Sequence, residues 1–270
     1  KKSKHTSVKA QHKSLSVQFS LDGFSFCILN NETQKPISFT EYIFDETLNP
    51  EYLLQRVEEI FSSDKDLQQE FVAIKAIHQN NLATLVPNKY FDESKLKTYL
   101  DYNIKTLATD FIAFDDLQKT TTKNVYVPYI NINNYLFQNF GEFEYKHHAT
   151  ELIDSLLFYS EGKKENHFYV HVSQNNFDIV ILKEQKLQFY NNFEFNTKED
   201  FIYYILFTAE QLGLNPDEFV LTFLGDIQKD SEIYNITYNY VRNISFLKPK
   251  SDFFIASEDF LPHANFLLIN

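Results

Sequence analysis

Glycine and cysteine are scarce in this sequence of 270 residues, which contains five Gly and one Cys. A single cysteine excludes an internal disulfide and makes a reducing cytoplasm the expected compartment. Cys27 lies inside the apolar stretch SFCIL, so we expect a buried strand residue rather than a reactive thiol. Five glycines are also too few to hide a glycine-rich phosphate loop elsewhere in the chain.

Positive charge is scarce as well, because 25 Lys and Arg face 37 Asp and Glu and give a net charge of −12. This balance argues against nucleic acid as the main partner, since phosphate binding needs concentrated Lys and Arg. The exception is residues 1–13, KKSKHTSVKAQHK, where five Lys and no acid predict a disordered basic arm. A tether to an acidic partner is the alternative for this arm.

Long apolar runs are absent, and none approaches the roughly 20 residues of a membrane-spanning helix. The polar residues at the start of the sequence are not followed by the apolar segment of a signal peptide. We therefore expect no membrane span and a cytoplasmic protein.

The first half of the chain contains a regular series of secondary-structure signals. Residues 16–20 alternate into Asp22-Gly23, a strong turn signal in which both residues are expected to have positive φ. Residues 24–30 then predict the second strand of a hairpin. A third strand follows at about residues 37–44. Asn49-Pro50 fits a capped helix start, and EFVAIKAI after that helix predicts a buried strand.

The second half repeats this order of three strands, a helix and a strand. Its hairpin turns at Asn175-Asn176, its helix has Thr197 and Asp200 spaced as a capping pair, and EFVLTFL is its buried strand. Ser20 and Ser173, in the two hairpins, are 153 residues apart, and the two EFV strands are 148 apart. The near-constant offset predicts an internal duplication.

The repeat also predicts the division of the chain. After the basic arm we expect a first domain at residues 14–160, with an insertion at about 80–140 that contains a helix near residues 92–103. The polar stretch EGKKEN at residues 161–166 is the predicted linker, and residues 167–270 form the second domain.

This duplicated unit resembles the actin-like ATPase superfamily, including the bacterial pilus-assembly and cell-division actin homologues. The segments NLATLVPNKYFD, NNFEFNTKEDFIYYI and LTFLGDI are similar to an uncharacterised bacterial family of unknown function with this fold. The resemblance implies an α/β fold of two related actin-like (ribonuclease H-like) domains with mixed sheets, the first enlarged by an inserted subdomain. It implies no particular activity.

The superfamily binds ATP and Mg²⁺ between two hairpins, each of which resembles Asp-x-Gly. The glycines allow backbone N–H groups to approach the phosphates, and the Asp positions the metal and the attacking water. In the second hairpin His171 stands at the Asp position, and Ser173, Gln174 and Asn175 replace glycines.

The first hairpin departs from the pattern in the same way. Gln18 stands at the Asp position and Ser20 at the Gly position, while Asp22 and Gly23 lie in the turn, out of register. Of the adenosine-binding glycine pair, only Gly225 remains and Asp226 follows it. These residues are the candidate cofactor-binding positions. The residues that bind phosphate in the superfamily have been lost there.

We therefore expect a non-catalytic scaffold or protein-interaction module that holds no cofactor, binds a protein partner and does not hydrolyse ATP. The alternative is a nucleotide sensor or ATPase that keeps ATP and Mg²⁺ through Asp22, His171, Asp178 or Asp226. A filament-forming protein like actin ranks last, because such filaments respond to nucleotide. A homodimer and a monomer fit the sequence equally well.

Four side chains near the end of the first domain suggest a metal site, namely Glu144, His147, His148 and Glu151. A polar helix start is the favoured interpretation. For His171 a core or sheet-face role is favoured over a catalytic base.

Two further stretches have a structural and a functional interpretation. Asp115-Asp116 is favoured as a solvated turn over an ion site. In YNNFEFN, strand alternation places Phe193 and Phe195 on one face. Core packing is favoured there, and a surface patch would instead indicate a protein interface.

Overall fold

The computed structural model describes residues 12–33, 35–163, 166–248 and 263–268. Residues 1–11 of the predicted arm and residues 164 and 165 of the predicted linker lie outside the described residues. Within them the chain forms three sheets and six α-helices.

The first five-stranded sheet is built from a strand triplet, a helix and two further strands. Their bounds are β1 Lys13–Ser20, β2 Gly23–Asn30, β3 Lys35–Ile43, α1 Pro50–Ser63, β4 Ala73–His78 and β8 Glu144–His147. The strand order is β3-β2-β1-β4-β8, in which β1 to β3 are antiparallel neighbours and β4 runs parallel to both β1 and β8. The sheet is therefore mixed.

The second five-stranded sheet has the corresponding order, β11-β10-β9-β12-β13. Its elements are β9 His167–Val172, β10 Asn176–Lys183, β11 Lys186–Glu194, α5 Lys198–Gln211, β12 Val220–Gly225, α6 Glu232–Tyr240 and β13 Asn243–Phe246. β12 again runs parallel to the central strand, β9. Two sheets of matching order give the predicted α/β fold; the domain limits and the duplication stay predictions.

A smaller sheet enlarges the first half between β4 and β8. It consists of β5 Ala83–Pro87, β6 Ala113–Asp116 and β7 Thr122–Tyr126 in the order β5-β7-β6, with α2 Leu96–Leu100 packed beside it. The helix predicted near residues 92–103 is shorter than expected, since the stretch begins as a 3₁₀ turn. The next helix, α3 Ile130–Phe140, packs in the core of the first five-stranded sheet.

Local rules explain where the long helices begin. Asn49 accepts hydrogen bonds from the N–H groups of Glu51 and Tyr52, and Pro50 is the first residue of α1. Thr197 and Asp200 form the predicted capping box of α5. These contacts bind N–H groups that a helix start leaves unpaired.

The first hairpin turns differently from the prediction. Ser20 pairs with Gly23, so Leu21 and Asp22 form the turn and Gly23 is the first residue of β2. Gly23 does not have positive φ. A Cβ atom there would lie 2.9 Å from the carbonyl oxygen of Tyr42, so close strand packing requires the glycine. The prediction of an Asp-Gly turn with positive φ was wrong.

Three of the apolar cores stabilise the two halves of the chain. One lies under α1 and α3, and another under α5 and α6. A third is shared, because α4 (His148–Tyr159) packs between strands of both five-stranded sheets. Cys27 lies buried in this shared core, where burial raises the pKa of its thiol to about 12. The prediction that Cys27 is a buried strand residue is confirmed, and its lack of reactivity stays a prediction.

Candidate functional site

A cleft of about 540 Å³ lies where the hairpin ends of the two five-stranded sheets meet. All nine candidate positions from the sequence line it: Gln18, Ser20, Asp22, Gly23, His171, Ser173, Asn175, Gly225 and Asp226. The fold thus brings these residues together, while their role in binding stays a prediction.

One side chain bridges the two hairpins across this cleft. Gln79, directly after β4, accepts a hydrogen bond from the Gln18 side chain at 2.5 Å. Its own amide donates to Ser173 Oγ at 2.7 Å. The bridge therefore connects Gln18 and Ser173, two of the predicted cofactor-binding positions.

Several backbone donors at the cleft already have partners within the protein. The N–H of Asp22 donates to Ser20 Oγ, and that of Ser173 donates to the carbonyl of Asn176. The N–H of Asp226 donates to the carbonyl of Val172 at 2.8 Å. Donors engaged in this way are not available to a phosphate without rearrangement.

The retained Gly225 has a structural explanation. Its φ is +86°, and a Cβ atom there would lie 2.1 Å from the carbonyl oxygen of Val172. Its N–H donates to the carbonyl of His263. Close packing of two neighbouring strands therefore accounts for this glycine without a bound nucleotide.

The cleft is acidic. Among the described residues that line it there is no Lys or Arg, and the carboxylates are those of Asp22, Glu41, Glu194 and Asp226. The pKa of Glu41 is raised, first because the cleft walls desolvate its carboxyl and second because Asp226 repels its charge. An additional anion would meet the same repulsion.

A buried aspartate lies behind the cleft. Asp178 is fully buried and accepts hydrogen bonds from Tyr190 and Asn192, while His171 Nδ1 lies 3.0 Å and His148 Nε2 3.2 Å from its Oδ2 atom. Burial raises the pKa of Asp178, but the charges and hydrogen bonds of His148 and His171 outweigh it and hold the pKa well below its usual value. The carboxylate is therefore ionised and links α4 of the first half to β10 of the second.

The phenylalanines next to the hairpin turns do not fill the cleft. Phe24 packs in the first core against Phe19 and Phe61, and Phe177 packs in the second core against Phe201. Both rings are at most 1 % exposed. The cleft stays open between them.

Comparison with known proteins identifies the family. A model described as a protein of unknown function, DUF3822, matches residues 2–244. The chain belongs to the DUF3822 family. A comparison with curated proteins finds no significant match. Among the residues that the structure describes, no helix has the length and apolar character to span a membrane.

Two solved structures are similar to this DUF3822 chain in fold. A Bacteroides thetaiotaomicron protein with actin-like ATPase fold and unknown function has a TM-score of 0.79 at 21% identity, covering 88% of this chain and 92% of that one. A chain of the PilM–PilN type IV pilus biogenesis complex has a TM-score of 0.60 at 12% identity, with coverages of 95% and 96%. The actin-like fold is thereby confirmed; identities this low show fold alone.

The four suggested metal ligands are engaged with other residues of this DUF3822 chain. Glu151 pairs with Lys75 and Lys146, and Lys146 also pairs with Glu144. His147 caps α4, and His148 contacts Asp178. In the described part of the chain, no group of three or more His, Cys, Asp or Glu residues could hold a metal ion.

Asp115 differs from the prediction of a solvated turn. It lies in β6 and accepts hydrogen bonds from Tyr126, from Thr150 and from the backbone N–H of His147. Burial raises its pKa to about 6 in spite of these bonds. The turn prediction was wrong, because this carboxyl connects the three-stranded sheet to the start of α4.

The roles of two residues of the cleft region, Gln79 and His148, were not predicted from the sequence. Gln79 was predictable, because Gln79 and Asp226 both follow the buried strand of their half and donate their N–H to the central strand. His148 gave no signal as a partner of Asp178, since the two residues lie on different elements. The YNNFEFN stretch was interpreted correctly for Phe193 and Phe195, which pack against the second core.

Proposed function

We propose that this DUF3822 chain is a non-catalytic member of the actin-like fold, a cytoplasmic scaffold or interaction module that binds a protein partner. The observation that carries the proposal is the Gln79 bridge, which joins Gln18 to Ser173 between the two hairpins. A phosphate bound there would have to break both hydrogen bonds and would gain no Lys or Arg from the described residues that line the cleft.

The acidic lining supports the same proposal. ATP carries several negative charges, and the superfamily offsets them with glycine-loop N–H groups and a metal held by Asp residues. In this chain the corresponding donors are engaged and the corresponding Asp positions carry Gln18 and His171. The PilM–PilN structure is a type IV pilus biogenesis complex. This is compatible with a partner-binding role for the fold.

A nucleotide sensor is the second candidate, and one observation favours it. The cleft is open and has a volume within the range of small-molecule sites. Asp22 and Asp226 line it and would be the carboxylates available to a magnesium ion. The retained Gly225 adds no weight, because strand packing explains it.

Phosphate release from ATP and Mg²⁺ tests the proposal. We expect the purified chain to release no more phosphate than a heat-inactivated sample, and the Gln79→Ala variant, which removes the bridge, to behave in the same way. A rate that co-elutes with the folded protein and falls in Asp22→Asn or Asp226→Asn would overturn the proposal. These two variants separate an intrinsic rate from a contaminating ATPase, whose rate they would leave unchanged.

A further inference from the structure

A second groove lies beside the cleft, and we call it the edge groove. It has a volume of about 630 Å³ and shares Asn80, Asn81 and Glu194 with the cleft. One wall is residues 83–85 of β5, and the other is residues 190–194 of β11. The side chains of Ile104 and Tyr204 complete it.

Both walls are strand edges. Consecutive residues of each strand line the groove, whereas the face of a strand would contribute alternate residues. β5 and β11 are each the last strand on one side of their sheet. Two strand edges that are unpaired among the described residues therefore border the same groove.

The register shows which backbone groups point into it. The N–H of Phe195 donates to the carbonyl of Asn175, so residues at positions 190, 192 and 194 of β11 direct their N–H and C=O groups away from β10. The N–H of Val127 donates to the carbonyl of Leu82, so Ala83 and Leu85 point away from β7 in the same way. In the described ranges, no other backbone group hydrogen-bonds to these outward positions.

We propose that the edge groove binds an extended peptide segment of a partner protein, which adds as a strand along β11 and contacts β5 on its other side. Unpaired strand edges recruit extended peptides in this manner, and the main-chain hydrogen bonds supply affinity. The inference rests on the proposed function and names the surface through which the partner is recognised. The five residues of β11 in the groove match a segment of about five residues, at about 3.3 Å per residue.

The residues that line the groove also indicate which side chains the partner segment carries. Apolar surface comes from Leu85, Ile104 and Phe193, and none of the described residues in the groove is Lys or Arg. At the end next to the cleft, Asn81 donates to Glu194 at 2.8 Å, and the other carboxylates of the cleft lie beyond. A segment of alternating apolar residues with Lys or Arg at that end complements this surface.

A display selection of random 12-residue peptides on the full chain provides the probe. We expect enriched peptides with alternating apolar residues and at least one Lys or Arg. An enriched peptide is then synthesised and titrated by fluorescence anisotropy against the wild type, Ala83→Pro and Asp116→Pro. Ala83→Pro removes an outward N–H inside the groove. Asp116→Pro is the matched control, since it removes an outward N–H from the other edge of the same three-stranded sheet.

We expect Ala83→Pro to weaken peptide binding by about 3- to 10-fold, because one hydrogen bond is lost. Asp116→Pro should change the affinity by less than about 2-fold. N-methylation of alternate peptide amides is expected to weaken binding at least as much, and this readout needs no variant of the protein. No enrichment over a bare support would overturn the inference, as would peptides insensitive to both Ala83→Pro and N-methylation. ATP hydrolysis would overturn the proposed function instead, whatever the peptide result.

Discussion

The two hairpins occupy the same place in their sheets but carry different chemistry at the cleft. In the first hairpin Gln18 pairs in register with Ser25, which gives an uncharged, half-buried pair. At the same register in the second hairpin His171 pairs with Asp178, which places a carboxylate and an imidazole in a buried pair. The strand ladders around both pairs are alike.

The comparison shows that the apolar strand positions maintain the sheets, while the polar positions at the hairpin ends hold the two halves together. Gln18 reaches the second half through Gln79, and Asp178 reaches the first half through His148. Both contacts involve positions at which the sequence predicted remnants of nucleotide-binding hairpins. Residues at candidate ligand positions in this chain thus connect the two halves on either side of the open cleft.

The largest expected effect comes from Asp178→Asn, which removes the charged acceptor of a buried network. Breaking one partner of a buried charge pair costs about 3–5 kcal/mol, so thermal unfolding should fall by about 6–20 °C. Ser25→Ala, at the same register in the first hairpin, should change stability by less than about 0.5 kcal/mol. Equal effects of the two variants would contradict the assigned difference between the hairpins.

The pH dependence sharpens this prediction. The pKa of Asp178 is depressed in the folded protein. The contribution of its carboxylate to the free energy of unfolding is therefore fully present above the unfolded-state pKa of about 3.9, and it is lost as the pH falls through the folded-state pKa. Denaturant unfolding of the wild type and Asp178→Asn at a series of pH values measures it. The difference in unfolding free energy should persist at pH 5 and shrink below about pH 4. A difference that grows below pH 4 would show that the carboxylate is not stabilised by its neighbours.

A smaller effect is expected from Gln79→Ala, which removes the uncharged bridge of the first hairpin. Two half-buried hydrogen bonds of about 0.5–1.5 kcal/mol each are lost, partly offset by water, so unfolding should become easier by about 1–2 kcal/mol. Chemical denaturation measures this change, with Asn81→Ala as a control that removes another link between the halves, to Glu194. The exposed Asn81 link should contribute less than Gln79. The reverse order would show that the Asn81–Glu194 link, and not the Gln79 bridge, is the stronger contact between the halves.

The smallest effect is expected from Asp226→Asn, and it has the opposite sign. Asp226 repels Glu41 across the cleft, so its neutralisation should stabilise the protein by up to about 1 kcal/mol at neutral pH. It should also lower the pKa of Glu41, which NMR titration of the carboxyl carbon measures. Glu232→Gln, on an exposed helix position, is the control and should leave that pKa unchanged. A raised pKa of Glu41 in Asp226→Asn would contradict the repulsion.

Much of the fold was predictable because its signals are local. Asn49-Pro50 and the Thr197–Asp200 pair set helix starts through contacts within one turn. The nine cleft positions were predictable through the repeat, because the same elements in the same order bring corresponding residues to the same end of each sheet. Strand alternation placed Phe193 and Phe195 against a core correctly.

The remaining features depend on contacts that sequence spacing does not encode. His148 and Asp178 are 30 residues apart and meet because α4 packs between both sheets. The prediction for Gly23 was wrong because the sequence does not distinguish a glycine required by close strand packing from one required by positive φ in a turn. The edge groove depends on the position of the three-stranded sheet relative to β11, which no periodicity indicates.

The central claim, that the cleft no longer binds nucleotide, is tested most directly by thermal unfolding with and without about 1 mM ATP and Mg²⁺. We expect no change in the unfolding temperature in the wild type. Ligand at about 100 times its dissociation constant would stabilise the fold by about 2.7 kcal/mol, or several degrees in a chain of this size. A rise of that size that disappears without Mg²⁺ would contradict the account.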